Sequence, residues 1–279
     1  MNIKKILLLT GLSVITLIST AQVTSFSDCE NMKNPANFAF QNGESITLEA
    51  NYKWGLVNTS VGEATLKLSK EDYNNQIHFV SSVNIKTYGF FDAFFKVRDY
   101  FQSKFNAENM KPSYFYQDTH EGKYTKKSTM NFDWNNNNLS GKKQRKKSPE
   151  REYSIELKGC TFDFISFIYF LRNMDFNSIN ANSNLLVTFA LDDILKTMNV
   201  RCAGTKTVKT KAGKFNAIEI IVQLLENDTF ASEPEMSLFI SNDKNHIPLY
   251  AEMPLRIGKV YISLTNFNNL KYPVTSKIK

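Results

Sequence analysis

"GCTFDFISFIYFLRNMDF", residues 159–176, decides how the rest of the chain must fold. From Phe162 to Asn173 it is apolar on most sides. As a helix it spans about 18 Å at 1.5 Å per residue, too short to cross a bilayer. A helix that is hydrophobic nearly all round has to be buried in protein. Thr161 or Asp163 can cap its amino end, and Arg172 suits the dipole at its carboxyl end. Spaced by three, Asp163, Ser166, Tyr169 and Arg172 form a slanted polar stripe along this rod. Buried charges need partners, so Arg172 is expected to meet a strand carboxylate such as Asp99.

Around the rod the chain alternates. In "ESITLEANYKW", residues 44–54, Ile46, Leu48, Ala50, Tyr52 and Trp54 fall on one face and Ser45, Thr47, Glu49, Asn51 and Lys53 on the other, the period of a half-buried strand. Similar alternation predicts strands over 61–68, 77–85, 97–105, 128–134 and 152–157 before the helix, and over 185–191, 198–202, 215–225, 236–240, 248–253 and 259–267 after it. Turn signals such as "YNNQ", "NNNN", "KAGKF" and "SNDKN" separate them. With no helix between successive strands, the sheet should be an antiparallel meander. Laid flat, so many strands would leave unpaired edges and an unburied face. The expected fold is therefore all-β, strictly β-rich α+β: one large curled antiparallel sheet forming a barrel or half-barrel, with one buried apolar helix near residues 162–173.

The amino terminus reads "MNIKKILLLTGLSVITLISTAQ". Lys4 and Lys5 precede an apolar run from Ile6 to Ile18 and a small-residue site at Ser19, Thr20 and Ala21, the pattern of an export signal cut after Ala21. No lipid-accepting cysteine follows that run directly, so a soluble exported protein, periplasmic or secreted, is expected, with no transmembrane segment in the mature chain. The expected division is 1–21 signal peptide, 22–42 irregular leader, 43–272 a single β-rich domain and 273–279 a carboxyl-terminal tail. Three cysteines, Cys29, Cys160 and Cys202, enter an oxidising compartment, where an odd count permits at most one internal bridge. Three pairings are open. Cys160 with Cys202 is favoured, since it would tie the start of the helix to a later strand.

With 42% hydrophobic and 22% charged residues the composition is that of an ordinary globular protein. The formal charge of +7 is mild. Part of it is concentrated in "KKQRKKS", residues 142–148, which holds Lys142, Lys143, Arg145, Lys146 and Lys147. Such a run is either a solvated hairpin tip or a contact for lipid phosphates or an acidic polysaccharide. Nucleic acid is not an expected partner, because export separates the chain from it and no aromatic-basic recognition motif accompanies the run. "TYGFFDAFFKVRD", residues 87–99, clusters Phe90, Phe91, Phe94 and Phe95 in a short helical turn between strands. That cluster is either a core corner or an aromatic lip at the mouth of a cavity. These two runs supply the candidate binding residues.

Catalytic patterns are weak. Ser166 lacks the GxSxG elbow and would need His78, His120 or His246 to arrive from elsewhere. Asp192 and Asp193 are adjacent and read as a turn rather than a carboxylate pair. Phosphate loops, HExxH and dinucleotide glycine patterns are absent, and three scattered histidines without CxxC fit no zinc site. No catalytic residue, metal or cofactor is assigned. A lyase acting on an acidic polysaccharide through Tyr with His or Arg stays open, because it needs neither metal nor carboxylate dyad.

Several fragments, taken in order, cover nearly all of the mature chain: "NGESITLEANYKW" followed by "GEATL", "TYGFFDAFFKVRDYFQS", "PSYF", "DFISFIYFLR", "VKTKAGKFNAIEI" and "SNDKNHIPLYAEM". In that order and spacing the chain resembles an exported bacterial family, the domain of unknown function numbered 3108. The resemblance implies an envelope-facing β-rich fold and brings no reaction, ligand or catalytic residue. The family pattern D-x-x-S-x-x-Y-x-x-R falls on Asp163, Ser166, Tyr169 and Arg172, and an aspartate before a core strand falls on Asp99.

The favoured function is a non-catalytic envelope protein that binds an apolar or amphipathic ligand, a lipid or glycolipid, or an envelope partner, with peripheral membrane contact. The alternatives are the polysaccharide lyase and a structural or assembly role in the envelope. The preference rests on 22 phenylalanines, more than strand patterning alone requires, and on a basic run suited to anionic head groups.

Overall fold

The computed structural model describes residues 23–24, 38–176, 184–225, 235–254 and 259–279; the expected signal peptide and most of the expected leader lie outside the described residues. The elements in chain order are β1 (Val23–Thr24), β2 (Ser45–Trp54), β3 (Val57–Tyr73), β4 (Gln76–Thr87), α1 (Phe90–Phe94), β5 (Arg98–Asn106), β6 (Pro112–Glu121), β7 (Tyr124–Asp133), β8 (Asn138–Arg145) and β9 (Arg151–Glu156). They continue with β10 (Thr161–Phe162), α2 (Phe164–Arg172), β11 (Asn184–Leu191), β12 (Ile194–Thr210), β13 (Gly213–Leu224), β14 (Met236–Ser241), β15 (Pro248–Pro254), β16 (Lys259–Asn268) and β17 (Lys277–Ile278).

Strands β2 to β9 form one antiparallel meander and β11 to β16 a second. They fuse into one sheet where β16 pairs with β2, Leu264 opposite Leu48 and Lys259 opposite Lys53. Short parallel pairings add β1 and β10 to β11. Bulges in β2–β3, β5–β6, β12–β13, β14–β15 and β16–β2 let so long a sheet curl. Among the described residues its ends, β9 on one side and β11 with β1 and β10 on the other, are not joined by a strand pairing, so the expected barrel or half-barrel is an open one.

Helix α2 lies between the two meanders, which explains why it is apolar on most sides. Ile165 and Tyr169 join the core built on Phe40, Ile46, Phe79 and Phe105, whereas Phe167, Phe170 and Leu171 join Val187, Val200, Ile220 and Ile240 of the second meander. Asp163 caps it: its carboxylate accepts from the backbone of Ile165 at 2.8 Å and of Ser166 at 3.0 Å, and its own N–H donates to Ser166 Oγ at 3.1 Å, a reciprocal capping box.

Four local expectations need correcting or extending. Residues 142–145, expected in a loop or hairpin tip, lie on β8, and the turn begins at Lys146. Strand β6 was not expected; its inner positions Gln117 and Thr119 are polar, so apolar alternation fails there. The last residues of the expected leader and the expected tail pack on the body, since Phe38 and Phe40 are in the core and Lys277–Ile278 pairs with β13. Finally, Cys202 carries a free thiol, so the expected Cys160–Cys202 bridge is not made. Cys160 is disulfide-bonded, to a partner outside the described residues. The geometry shows why: Cys160 accepts from Thr188 on β11, whose partner on β12 is Thr197, and Cys202 lies five residues further along that strand. At about 3.3 Å per residue that is about 17 Å, well beyond disulfide reach.

Candidate functional site

The curled sheet has two unlike ends. At one, the carboxyl end of α2 meets the segment before β2, the β14–β15 turn and the carboxyl terminus. Arg172, fully buried, donates to both carboxylate oxygens of Glu44, at 2.5 and 2.8 Å, and to the carbonyl of Asn245 at 3.1 and 3.2 Å. Its guanidinium also lies 5.3 Å from the ring centroids of Phe40 and Tyr169. Asn173 accepts from the backbone of Ala39, and Asn245 bonds Tyr272 in both directions. The expected Arg172–Asp99 contact is therefore replaced by Arg172–Glu44: the rod points Arg172 toward the opposite end of the sheet from Asp99.

The other end gathers the turns β2–β3, β6–β7, β8–β9 and β11–β12 together with α1, because Gly62 pairs with Thr87, Lys86 with Arg98, Val97 with Glu121 and Lys126 with Arg145. We call it the rim. Strand register assigns the concave face. Near α2 the concave side chains Ile46, Leu48, Leu66, Leu68, Phe79, Val83, Phe105 and Phe115 are buried. Toward the rim, Ala50, Tyr52, Ala64, Ile85, Leu238, Ala251 and Ile262 on the same face are only half-buried. The interior is thus filled below by α2 and open above. Its open half is amphipathic. The wall from β14 through β16 and β2 to β4 is apolar, whereas β5 to β9 turn Asp99, Gln117, Thr119, Lys126, Ser128, Lys143 and Tyr153 to the same face.

On the polar side, ion pairs link the two meanders where strand pairing does not. The β11–β12 turn places Asp192 2.7 Å from Lys126 Nζ, and Asp193 against Lys143 Nζ and 2.7 Å from Arg151 Nη2. The Lys143 hydrogen bond holds the Asp193 carboxyl below its ordinary range. Burial, then the charges of Asp192 and Asp193, push the Tyr153 phenol up. Its hydroxyl reaches over Gly141 to donate to the Thr129 carbonyl at 2.8 Å. A Cβ at Gly141 would stand 2.0 Å from that carbonyl oxygen and 2.6 Å from the tyrosine oxygen, so only glycine fits.

Asp99 accepts from the His120 backbone at 2.9 Å and, chiefly through burial, is pushed up to about 6. The unfolded carboxyl titrates near 3.9, so the folded state holds the extra proton between about pH 4 and 6, and stability should fall as pH rises through that window. An Asp99→Asn chain should lose this slope and gain on the order of 2 kcal/mol at neutral pH. Urea denaturation across that pH range checks it; a slope that survives the substitution assigns it to another group.

The expected site residues fall into separate places. Phe90, Phe91, Phe94 and Phe95 sit on α1 and its end, at the rim, with Phe90, Phe94 and Phe95 exposed. Lys142 lies outside on β8 against Glu150 and Glu152, Lys143 belongs to the ion-pair closure, and Arg145, Lys146 and Lys147 are exposed at the β8–β9 turn. Ser166 donates to Asp163, Tyr169 accepts from Ser81, and Asp163, its carboxyl raised by burial, also accepts from Ser103. The histidines are held apart: both ring nitrogens of His78 are engaged, by Gln76 O and Ser113 Oγ, and His246 bonds the Arg172 carbonyl, its pKa lowered by burial. Glu44, Lys126, Tyr153, Asp192 and Asp193 were not anticipated as partners. The available signal was the charge at alternate positions of β7 and β8, where an inward apolar residue is expected.

Among the described residues no helix is long and apolar enough to cross a membrane. No curated protein matches the chain. A solved β-barrel-like protein of domain of unknown function DUF1849 from Brucella abortus superposes with TM-score 0.57 at 9% identity, covering 82% of this chain and 98% of its own, a likeness of fold. A candidate lipoprotein from Parabacteroides distasonis matches at TM-score 0.35 and 11% identity, over 83% of this chain and 99% of its own. The family model described as "Protein of unknown function (DUF3108)" matches residues 49–265, so the chain belongs to that family.

Proposed function

We propose that the protein is a non-catalytic exported binder that holds one apolar or amphipathic molecule, of the lipid or glycolipid class, in the rim half of its open barrel. One observation carries this: apolar side chains buried beside α2 give way, along the same concave face, to half-buried apolar ones, opposite a polar wall on which Gln117, Lys126, Lys143 and Tyr153 are half-buried and Asp99, Thr119 and Ser128 buried. An acyl chain suits Ala50, Ala64, Ile85, Ala251 and Ile262. A polar head suits the half-buried Gln117 and Lys143 of the opposite wall. Small residues at 50, 64 and 251 leave room where Leu or Ile would fill the interior. On this reading Phe90, Phe91, Phe94 and Phe95 form the lip, and Arg145, Lys146 and Lys147, beside Lys142 and Lys143, attract an anionic head group.

The test uses the mature chain and an environment-sensitive fluorescent fatty acid as probe. Saturable uptake is expected, and Ala64→Phe, which fills the concave wall, should weaken it about tenfold or more while the chain still melts cooperatively. Mass spectrometry of an organic extract should find a lipid released from the purified protein. Absence of both uptake and extractable lipid would end the proposal.

A further inference from the structure

Among the described residues seven large hydrophobic side chains are exposed, and six of them lie at the rim. Leu56 at the β2–β3 turn is fully exposed; Phe90, Phe94 and Phe95 on or beside α1 are 73%, 71% and 53% exposed; Leu191 and Ile194 flank the β11–β12 turn. Only Ile77 lies at the other end, next to the β3–β4 turn. Scattered single exposures are normal for a soluble protein; a ring of them on the turns of one end is not.

The aromatic part of this ring is held outward rather than left loose. Asp92 accepts from Thr87 Oγ1 at 2.7 Å and from both terminal nitrogens of Arg98, at 2.8 and 2.7 Å. Thr87 Oγ1 in turn accepts from the Val97 backbone. These bonds pin α1 to the ends of β4 and β5, with Phe90 and Phe94 packed together on its exposed side, their ring centroids 4.3 Å apart and their planes tilted by 48°. The turns beside the ring carry exposed cations: Lys96 after α1, Lys123 at β6–β7, and Arg145, Lys146 and Lys147 at β8–β9. Of the acidic groups at these turns, Asp92 is taken by Arg98 and Glu150 by Lys142, and Glu121 is half-buried beside Asp99.

We infer that the rim docks the protein on an anionic lipid bilayer, with Leu56, Phe90, Phe94, Phe95, Leu191 and Ile194 entering the boundary between head groups and acyl chains. The turn cations lie at the level of the lipid phosphates. Apolar side chains ringed by Lys and Arg match the chemistry of an interface that is oily below and anionic above. A second copy of the chain would bring a basic rim against a basic rim. Docking in this orientation sets the open half of the interior directly over the lipid, and for that purpose, though not for its physical basis, the inference rests on the proposed ligand.

The experiment is co-sedimentation of the mature protein with vesicles of phosphatidylcholine alone or mixed with phosphatidylglycerol. Binding is expected only with phosphatidylglycerol, and should weaken as salt rises. Phe90→Ser with Phe94→Ser, and separately Arg145→Gln with Lys146→Gln and Lys147→Gln, should each lower it by about tenfold or more. Ile77→Ser, at the far end, should change nothing. Because the substituted side chains are exposed, unchanged thermal melting is expected in every variant. Binding that ignores phosphatidylglycerol, or survives both rim variants, overturns the inference. So does a rim-dependent dimer in sedimentation without vesicles, which would assign the ring to a protein contact. Uptake of the fluorescent fatty acid without any vesicle binding would sink the docking surface and leave the proposed ligand standing.

Discussion

An Arg172→Ala chain should melt on the order of 10 °C below the parent, corresponding to a loss of about 3–5 kcal/mol. Arg172 is fully buried and donates five hydrogen-bond contacts of 3.5 Å or less, to Glu44, Asn245 and Ala39. Its removal leaves the Glu44 carboxylate buried without its cation, and an uncompensated buried charge costs far more than the pair contributed. Burial lowers the Arg172 affinity for its proton and Glu44 restores it, the net effect being upward, so Arg172 keeps its charge beside Glu44. The double change Glu44→Leu with Arg172→Met removes both charges and should recover most of the loss. Thermal and urea denaturation of the single and double variants measure it. A single-variant loss under about 1 kcal/mol would mean that water reaches the pair.

Asp163→Ala should cost about 2–4 kcal/mol, the sum of a lost amino-terminal cap and of donors left unsatisfied in the interior. The carboxylate has no exposure and accepts from Ser103, from Ser166 Oγ and from two backbone N–H groups. Asp163→Asn keeps an acceptor for the backbone and removes the cost of burying a carboxylate, so it should lose less than half as much. Its stability relative to the parent should improve as pH rises, because burial raises the Asp163 pKa and the costly ionised form exists only in the parent. Equal losses for the two substitutions would mean that packing around α2, and not the cap, carries the effect.

Much of this fold was legible in the sequence wherever one physical demand dominated. Strand β2 alternates cleanly because Leu48 faces the core and Glu49 the other side. The rod could be placed inside from its own composition, since no side of α2 from Phe164 to Leu171 tolerates water well. Legibility failed where two demands collide. On β8 the inward positions Lys143 and Arg145 carry charge because the facing partner of Lys143 is Asp193, about 50 residues away in sequence, and no local pattern announces that meeting. Glu44 resembles an ordinary pre-strand acid, yet it pairs with Arg172 from 128 residues away. The cysteines failed for a related reason: both lie near one sheet edge, but along the strand direction they are too far apart.

The pairing of β2 with β16 joins residues more than 200 positions apart, Ser45 with Asn268 at one extreme. Long closures of this kind are slow to form, and here the delay has a direction. As the polypeptide emerges, its first half can arrange itself into a trough, but nothing yet covers the far flank of the rod, and Phe167, Phe170 and Leu171 wait for strands still to be synthesised. A chain cut after residue 176 should therefore be sticky and dependent on a holding chaperone, and the final seam should zip only once almost the last residue has arrived.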